Sequence, residues 1–280
     1  DTIVFGEASK RRRDYAFARH ACAALESISA SKMSEPSPGV MVLLEKIQDV
    51  IVGKWGFSNS QSQNKAWYAF AQQGLRAIFK QHAQPDKMSE AIVQQCAADI
   101  FGQEGGRASA SQMSRFFFVL GEVAVDLLVH TETVSVAAKK LRLKAQEMQQ
   151  DRAQEVAKKD GEEGQGIAAQ CGLQSSEEDA EQDLYETIAE EEVIRKNLIG
   201  AFSGMVQAIV KRMLKDFQDG GVSANSTSIG RLFLNQSALM TLCKFMSVSR
   251  KFCKKNIAMI FDVLESMGSY EHAASMRANI

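Results

Sequence analysis

The residues of this sequence with chemistry to offer are five cysteines, four histidines, two acidic runs and three clusters of Lys and Arg. A structural zinc site needs four thiolate or imidazole ligands at short spacings. Cys243 and Cys253 are separated by an SVS break, no CxxC occurs, and His20, His82, His130 and His272 are scattered. With Cys22, Cys96 and Cys171 they form an odd, irregular set that suits buried reduced thiols better than a secreted disulfide framework. The acidic runs Glu177 to Asp183 and Glu190 to Glu192 lack the alternating ligands and the glycine of a calcium loop, so a solvated helix face is expected there. GQEGG from Gly102 and GEEGQG from Gly161 lack the spacing and lysine of a phosphate-binding loop, and neither GxSxG nor HExxH occurs. No catalytic, cofactor-binding or metal-ligating residue is expected, and the chain reads as a non-enzyme.

The cations are more suggestive. Lys244, Arg250, Lys251, Lys254 and Lys255 follow one another without an intervening acid around a turn between two helices. Lys211, Arg212 and Lys215 form a second group, and Lys10 to Arg13 a third. Such groups are either a solvated face or a ridge that contacts nucleic-acid phosphates, where clustered cations gain from counterion release. Aromatic side chains placed for stacking are not evident beside them, so reading of base sequence is not expected. Net charge is -1, so any attraction to an anionic partner must be local.

The elements that carry these groups read as almost wholly helical. Three prolines, a 45% hydrophobic composition and few alternating β-branched runs leave little for strands. Asp14 caps a helix with Phe17, Ala21, Ala24, Leu25 and Ile28 on its apolar face. Ser37, Pro38 and Gly53 bracket the next; Ser37-Pro38 is a minimal proline-directed phosphorylation site, but a plain cap before a proline at the first helical position is favoured. Two more helices are separated around Pro85, with Asp86 or Ser89 as cap. Ser109 to His130 is apolar almost all round and should be central. Thr131 to Asp160 is a charged helical tract that projects into solvent, and Gly161 to Ser176 a loop closing the excursion. Helix resumes at Ser175 or Ser176, continues through Phe217, breaks at GGVSANSTS, and ends in a pair divided at SVS, the second of which carries Phe252, Ile257, Ile260, Phe261 and Leu264 as its apolar set.

Helix pairs recurring at roughly 40-residue intervals are the signature of a HEAT or armadillo solenoid. The expected fold is therefore all-α: hairpins over 1–130, a charged extension and loop over 131–175, and further repeats over 176–280. No apolar run approaches the roughly 18 residues of a membrane span, and DTIVFGEASKRRR is no signal peptide, which points to a cytosolic or nuclear chain. A start without Met and an end in mid-pattern suggest a segment of something longer.

RFFFVLGEVAVDLLVHTE, DAEQDLYETIAEEEVI after a charged insertion, and LCKFMSVSRKFCKKNIAMIFDVLESM with its terminal SMRANI resemble consecutive parts of the HEAT-repeat, non-SMC regulatory subunits of condensin. AWYAFAQQGLRAIFKQHAQPDKMSEAIVQQCAADIF resembles the preceding helical pair, so the likeness runs from Trp67 to Ile280, the first sixty residues fitting as generic repeat. Arg277 and Asn279 match the family's closing Arg-Xaa-Asn; GSYEHAASMRAN keeps Glu271 but lacks the family's proline in the turn before it. The acidic helix after the insertion favours the condensin I branch over condensin II. The resemblance implies a kleisin and SMC ATPase subunits as partners, DNA bound without sequence specificity, a role in mitotic chromosome condensation, and residence in the nucleus and on chromosomes with a cytoplasmic pool. A transport or trafficking adaptor built from the same repeats, without DNA contact, is the rival reading.

Overall fold

The computed structural model describes residues 14–28, 37–53, 61–102, 108–160, 198–219 and 229–267. These form helices α1 (Tyr15–Ser27), α2 (Pro38–Val52), α3 (Gln61–Gln81), α4 (Pro85–Phe101), α5 (Ala110–Asp160), α6 (Leu198–Gln218), α7 (Ile229–Val248) and α8 (Arg250–Ser266). No strand occurs among the described residues, as the composition requires.

Local signals set several boundaries. Asp14 Oδ1 accepts from the Phe17 N–H at 2.9 Å, and Ser249 Oγ accepts from the Phe252 N–H at 3.1 Å, each satisfying an orphan donor of a first turn. Pro38 and Pro85 open their helices, where a missing N–H costs nothing. Ser37 holds the N-cap position of α2 without a side-chain cap bond. Neither Asp86 nor Ser89 caps α4: Gln84 holds that position, and Ser89 Oγ instead donates to the Asp86 carbonyl inside the first turns.

The helices stack in two rows. α1, α3, α5 and α7 pack successively in one row, and α2, α4, α6 and α8 in the other. Within the first row the helices run the same way: Tyr15 meets Phe70 while Gln81 bonds the Leu25 carbonyl, Tyr68 meets Ser114 while Phe79 meets His130, and Ser114 meets Ser237 while Glu122 meets Lys244. Successive same-direction helices backed by a second row are the stacking of a HEAT/armadillo-like helical-hairpin solenoid, in which each pair covers its neighbour's apolar face. One continuous core runs along the stack, from Cys22 and Leu44 through Trp67, Phe70, Phe116 and Phe117 to Leu242, Phe245 and Val263.

α5 is enclosed most completely. Phe116 to Ala124 are all buried, including Glu122, so this stretch meets neighbours on every side of its wheel. Small residues allow α7 a close approach: a Cβ on Gly121 would lie 3.0 Å from Thr241 Oγ1 and 3.2 Å from Thr241 Cα. Beyond His130 the same helix leaves the body, and its residues turn mostly exposed.

Two apolar faces differ from those the periodicity predicts. α1 buries Ala18, Cys22 and Leu25, while Phe17 and Ile28 are each 53% exposed. α8 buries Asn256, Ile260 and Val263, leaving Ile257 and Phe261 outward. In both helices the buried line includes small or polar residues, and large apolar residues one position away compete for the same reading. Asn256 tolerates burial because its Nδ2 donates to the Phe252 carbonyl at 2.8 Å.

Candidate nucleic-acid interface and a buried polar seam

The Ser249 cap fixes where α8 begins, and so assigns Arg250, Lys251, Lys254 and Lys255 to its first six residues. Helical spacing places Arg250 above Lys254 and Lys251 above Lys255, and all four are exposed. No acidic residue stands in that first turn. Cations there oppose the helix macrodipole, whose N-terminal end is positive, at a cost of a few tenths of a kcal/mol each. The helix dipole therefore gives no reason for this cluster, whereas an anion would meet both the side chains and the positive end of the helix.

Lys211, Arg212 and Lys215 are likewise exposed, on the second half of α6. Lys215 lies in the last turn, where a cation is favoured by the dipole, so its presence has a plain structural cause. The neighbouring Asp216 binds Arg231 of α7 at 2.5 Å, an ion pair without net charge beside this ridge. α6 and α8 pack together, but the two cationic groups stand on separate helices. Phe261, 57% exposed on α8, is an aromatic side chain beyond Lys254 and Lys255 that helical periodicity assigns to the core and the fold leaves available for stacking.

Lys244 does not belong to the exposed cluster. Its Nζ donates to Glu122 Oε1 at 2.5 Å and lies 5.3 Å from the centre of the Phe118 ring. Glu122 is 3% exposed and also accepts from Gln72 Nε2 at 3.0 Å. One turn on, the Asp126 carboxyl is raised to about 7, first by burial and then by Glu122, against the lowering pull of Arg76 and Lys244. Asp126 Oδ2 has no hydrogen-bond partner. A second polar line joins the same helices: the hydroxyls of Tyr68 and Ser114 lie 2.5 Å apart, those of Ser114 and Ser237 lie 2.9 Å apart, and Thr241 Oγ1 donates to the Phe117 carbonyl. Burial pushes the Tyr68 phenol up, so it remains a neutral hydroxyl. The seam joins α3, α5 and α7 in a fixed register. Sequence inspection could not find it, since its partners lie 46 to 124 residues apart.

The thiols behave as core residues. Burial pushes Cys22 and Cys96 to about 12 and Cys243 to about 11, which keeps them protonated and poor as ligands or nucleophiles. No grouping of three His, Cys, Asp or Glu able to hold a metal ion occurs among the described residues. His82 Nδ1 accepts from the Gln84 N–H, and His130 packs edge-on to Phe79. No described helix is long and apolar enough to cross a membrane. Lys10 to Arg13, the loop from Gly161, the acidic runs from Glu177 and Glu190, Cys171, His272 and the SMRANI motif with Arg277 and Asn279 lie outside the described residues.

No protein-family profile matches the chain. Individual curated proteins do. Condensin complex subunit 1 of Saccharomyces cerevisiae is 22% identical over a match covering 90% of this chain and 21% of that protein. Condensin-1 complex subunit CAP-D2 of Arabidopsis thaliana is 24% identical, with 80% of this chain and 16% of its own length covered. Condensin complex subunit 1 of Mus musculus is 24% identical, with 95% and 20% covered. The mouse match leaves too little of the chain outside it to begin at Trp67, so the likeness also takes in most of the N-terminal repeats that the motifs left generic. The chain spans about a fifth of the length of these relatives. Helical repeats and condensin-like motifs thus meet in one statement: this chain is similar, over nearly its whole length, to an internal part of condensin complex subunit 1.

Proposed function

We propose that the chain is a non-catalytic scaffold section of a condensin regulatory subunit, which grips a segment of a kleisin and helps the SMC ATPases of the complex engage DNA. The observation that carries this reading is the similarity to condensin complex subunit 1 across almost the entire solenoid. A row of helical hairpins suits the role because it offers an extended surface on which a few buried anchors hold a peptide. ATP hydrolysis belongs to the partners in this reading, and the site of action is the chromosome within the nucleus, with a cytoplasmic pool. The condensin I branch is preferred because a matching relative bears the condensin-1 name.

DNA contact falls to Arg250, Lys251, Lys254 and Lys255, with Lys211, Arg212 and Lys215 as a second ridge. The first cluster carries more weight, because its cations stand at the positive end of the α8 dipole with no acidic residue in the first turn of that helix. Each phosphate neutralised adds about 0.9 to the slope of log affinity against log salt. Substituting all four α8 cations by Glu should weaken binding to duplexes of any sequence and flatten that slope by about 0.9 for each phosphate no longer neutralised. Unchanged affinity and slope would remove α8 from the interface. Recovery of SMC and kleisin chains in a pull-down supports the condensin reading, whereas cargo receptors without either chain support the trafficking adaptor.

A further inference from the structure

We propose that the outward face of α8 takes a DNA strand at unpaired bases, with Phe261 as the platform on which a base stacks, a role that rests on the reading of Arg250, Lys251, Lys254 and Lys255 as phosphate contacts and adds which form of DNA they meet.

One line along the helix carries both kinds of group. With about 3.6 residues per turn, Arg250, Lys254, Ile257 and Phe261 fall within about 60° of one another around the axis. All four are exposed, Ile257 by 40% and Phe261 by 57%. The core lies on the opposite side of α8, at Asn256, Ile260 and Val263, and neither Ile257 nor Phe261 joins it. A single apolar side chain on a surface needs no special cause. Here two of them prolong the line on which the cations stand.

The ring decides between paired and unpaired DNA. In a duplex the faces of each base are covered by its neighbours in the stack, and a protein meets only base edges and backbone. Apart from a thymine methyl, those edges offer a phenyl group nothing, because it has neither donor nor acceptor. Pressed against the duplex backbone, the ring would strip water from polar groups and give no bond in return. An unpaired base has a free face, and stacking on an aromatic side chain tolerates any sequence because every base has such a face.

Reach and charge place the strand. Two turns separate Lys254 from Phe261, about 10 Å along the axis. At about 3.4 Å per nucleotide in a stacked strand, that is the reach of about three nucleotides. One backbone therefore passes Arg250 and Lys254 and still brings a base onto the ring. Asp262 and Glu265 are exposed at and beyond the ring, and repel phosphates on that side. The bound strand accordingly lies over the first turns of α8 and leaves the helix at Phe261.

Fluorescence anisotropy of the 280-residue chain with three labelled probes of equal length tests this: an oligothymidylate, an abasic strand and a duplex. Phe261→Ala should weaken binding to the oligothymidylate about 5- to 150-fold, the range of one lost base stack, and change the abasic strand and the duplex by less than about twofold. Phe261→Trp should bind the oligothymidylate at least as tightly as wild type. Thermal unfolding of Phe261→Ala should match wild type, because the ring lies outside the core. Equal losses for all three probes, or none, would overturn the stacking platform. A wild-type chain that sediments as a dimer, with Phe261→Ala a monomer, would assign the face to a second copy and overturn it too. Substituting the four cations by Glu separates the two readings. Weaker binding of every probe by that variant, beside an inert Phe261→Ala, removes the platform alone, whereas unchanged binding by that variant removes α8 from DNA contact altogether.

Discussion

Replacing Lys244 by Met puts the buried seam to its sharpest test. The ammonium group is 20% exposed and its partner Glu122 only 3%, so the pair is largely withdrawn from water. Removing one member of a buried pair leaves an uncompensated charge and costs about 3–5 kcal/mol. Two details of the geometry select the lower end. Gln72 still donates to Glu122 Oε1 at 3.0 Å, and the exposed fifth of Lys244 shows that water already reaches the site. The expected loss is about 3 kcal/mol, which for a domain of this size lowers the midpoint of thermal unfolding by about 6–12 °C. Circular dichroism at 222 nm during a thermal ramp would record it. The double variant Lys244→Met with Glu122→Gln should recover most of the loss, because a neutral amide keeps the Gln72 bond without a stranded charge. A single variant within about 1 kcal/mol of wild type, or a double variant no better than the single, would refute the view that the seam is held by paired charge.

Two other substitutions probe the same stack. Asp126 has a folded value near 7, above that of an unfolded carboxyl, so its contribution to stability is present at pH 4 and lost as pH rises through 7. Glu122, Arg76, Lys244 and Glu26 are the charges that act on it. Asp126→Asn should therefore unfold at higher urea than wild type at pH 8, with the gap narrowing at pH 5; a gap independent of pH would assign the effect elsewhere. At Gly74 an added Cβ would stand 2.8 Å from Ile47 Cγ2 and 3.5 Å from Ile51 Cδ1, where α3 crosses α2. Gly74→Val should cost about 1–3 kcal/mol by overpacking, as read from denaturant midpoints, and a midpoint equal to that of wild type would show that α2 yields at this contact.

Features governed by neighbours in the chain were legible in the sequence. Asp14 could be assigned as a cap because a cap is made by residues three apart, and Pro38 as a first helical residue because its ring suits only the start of a helix, whereas SVS marked a break without showing that Ser249 is the cap. The apolar line of α5 was legible for the same reason: Phe116 to Ala124 leave no polar side for solvent except Glu122. The faces of α1 and α8 were not, since Phe17 and Phe261 look like core until a neighbouring helix settles which side is covered. Lys244 shows the limit most clearly. Beside Arg250 and Lys251 it reads as one of a basic run, and only Glu122, 122 residues away, removes it from that surface. The α8 cations were legible as a charge cluster, but their standing against the helix dipole required knowing that Ser249 is where the helix begins.

The unbroken course of α5 has a mechanical consequence. Its inner half is clamped among α3, α4 and α7, while its far end at Asp160 stands about 50 Å beyond Leu127. A tilt of one degree at the clamped base would sweep that end through about 1 Å, so sub-ångström rearrangements in the stack would be magnified at the tip. A spin label or fluorophore carried there would register changes in the curvature of the stack too small to see within it.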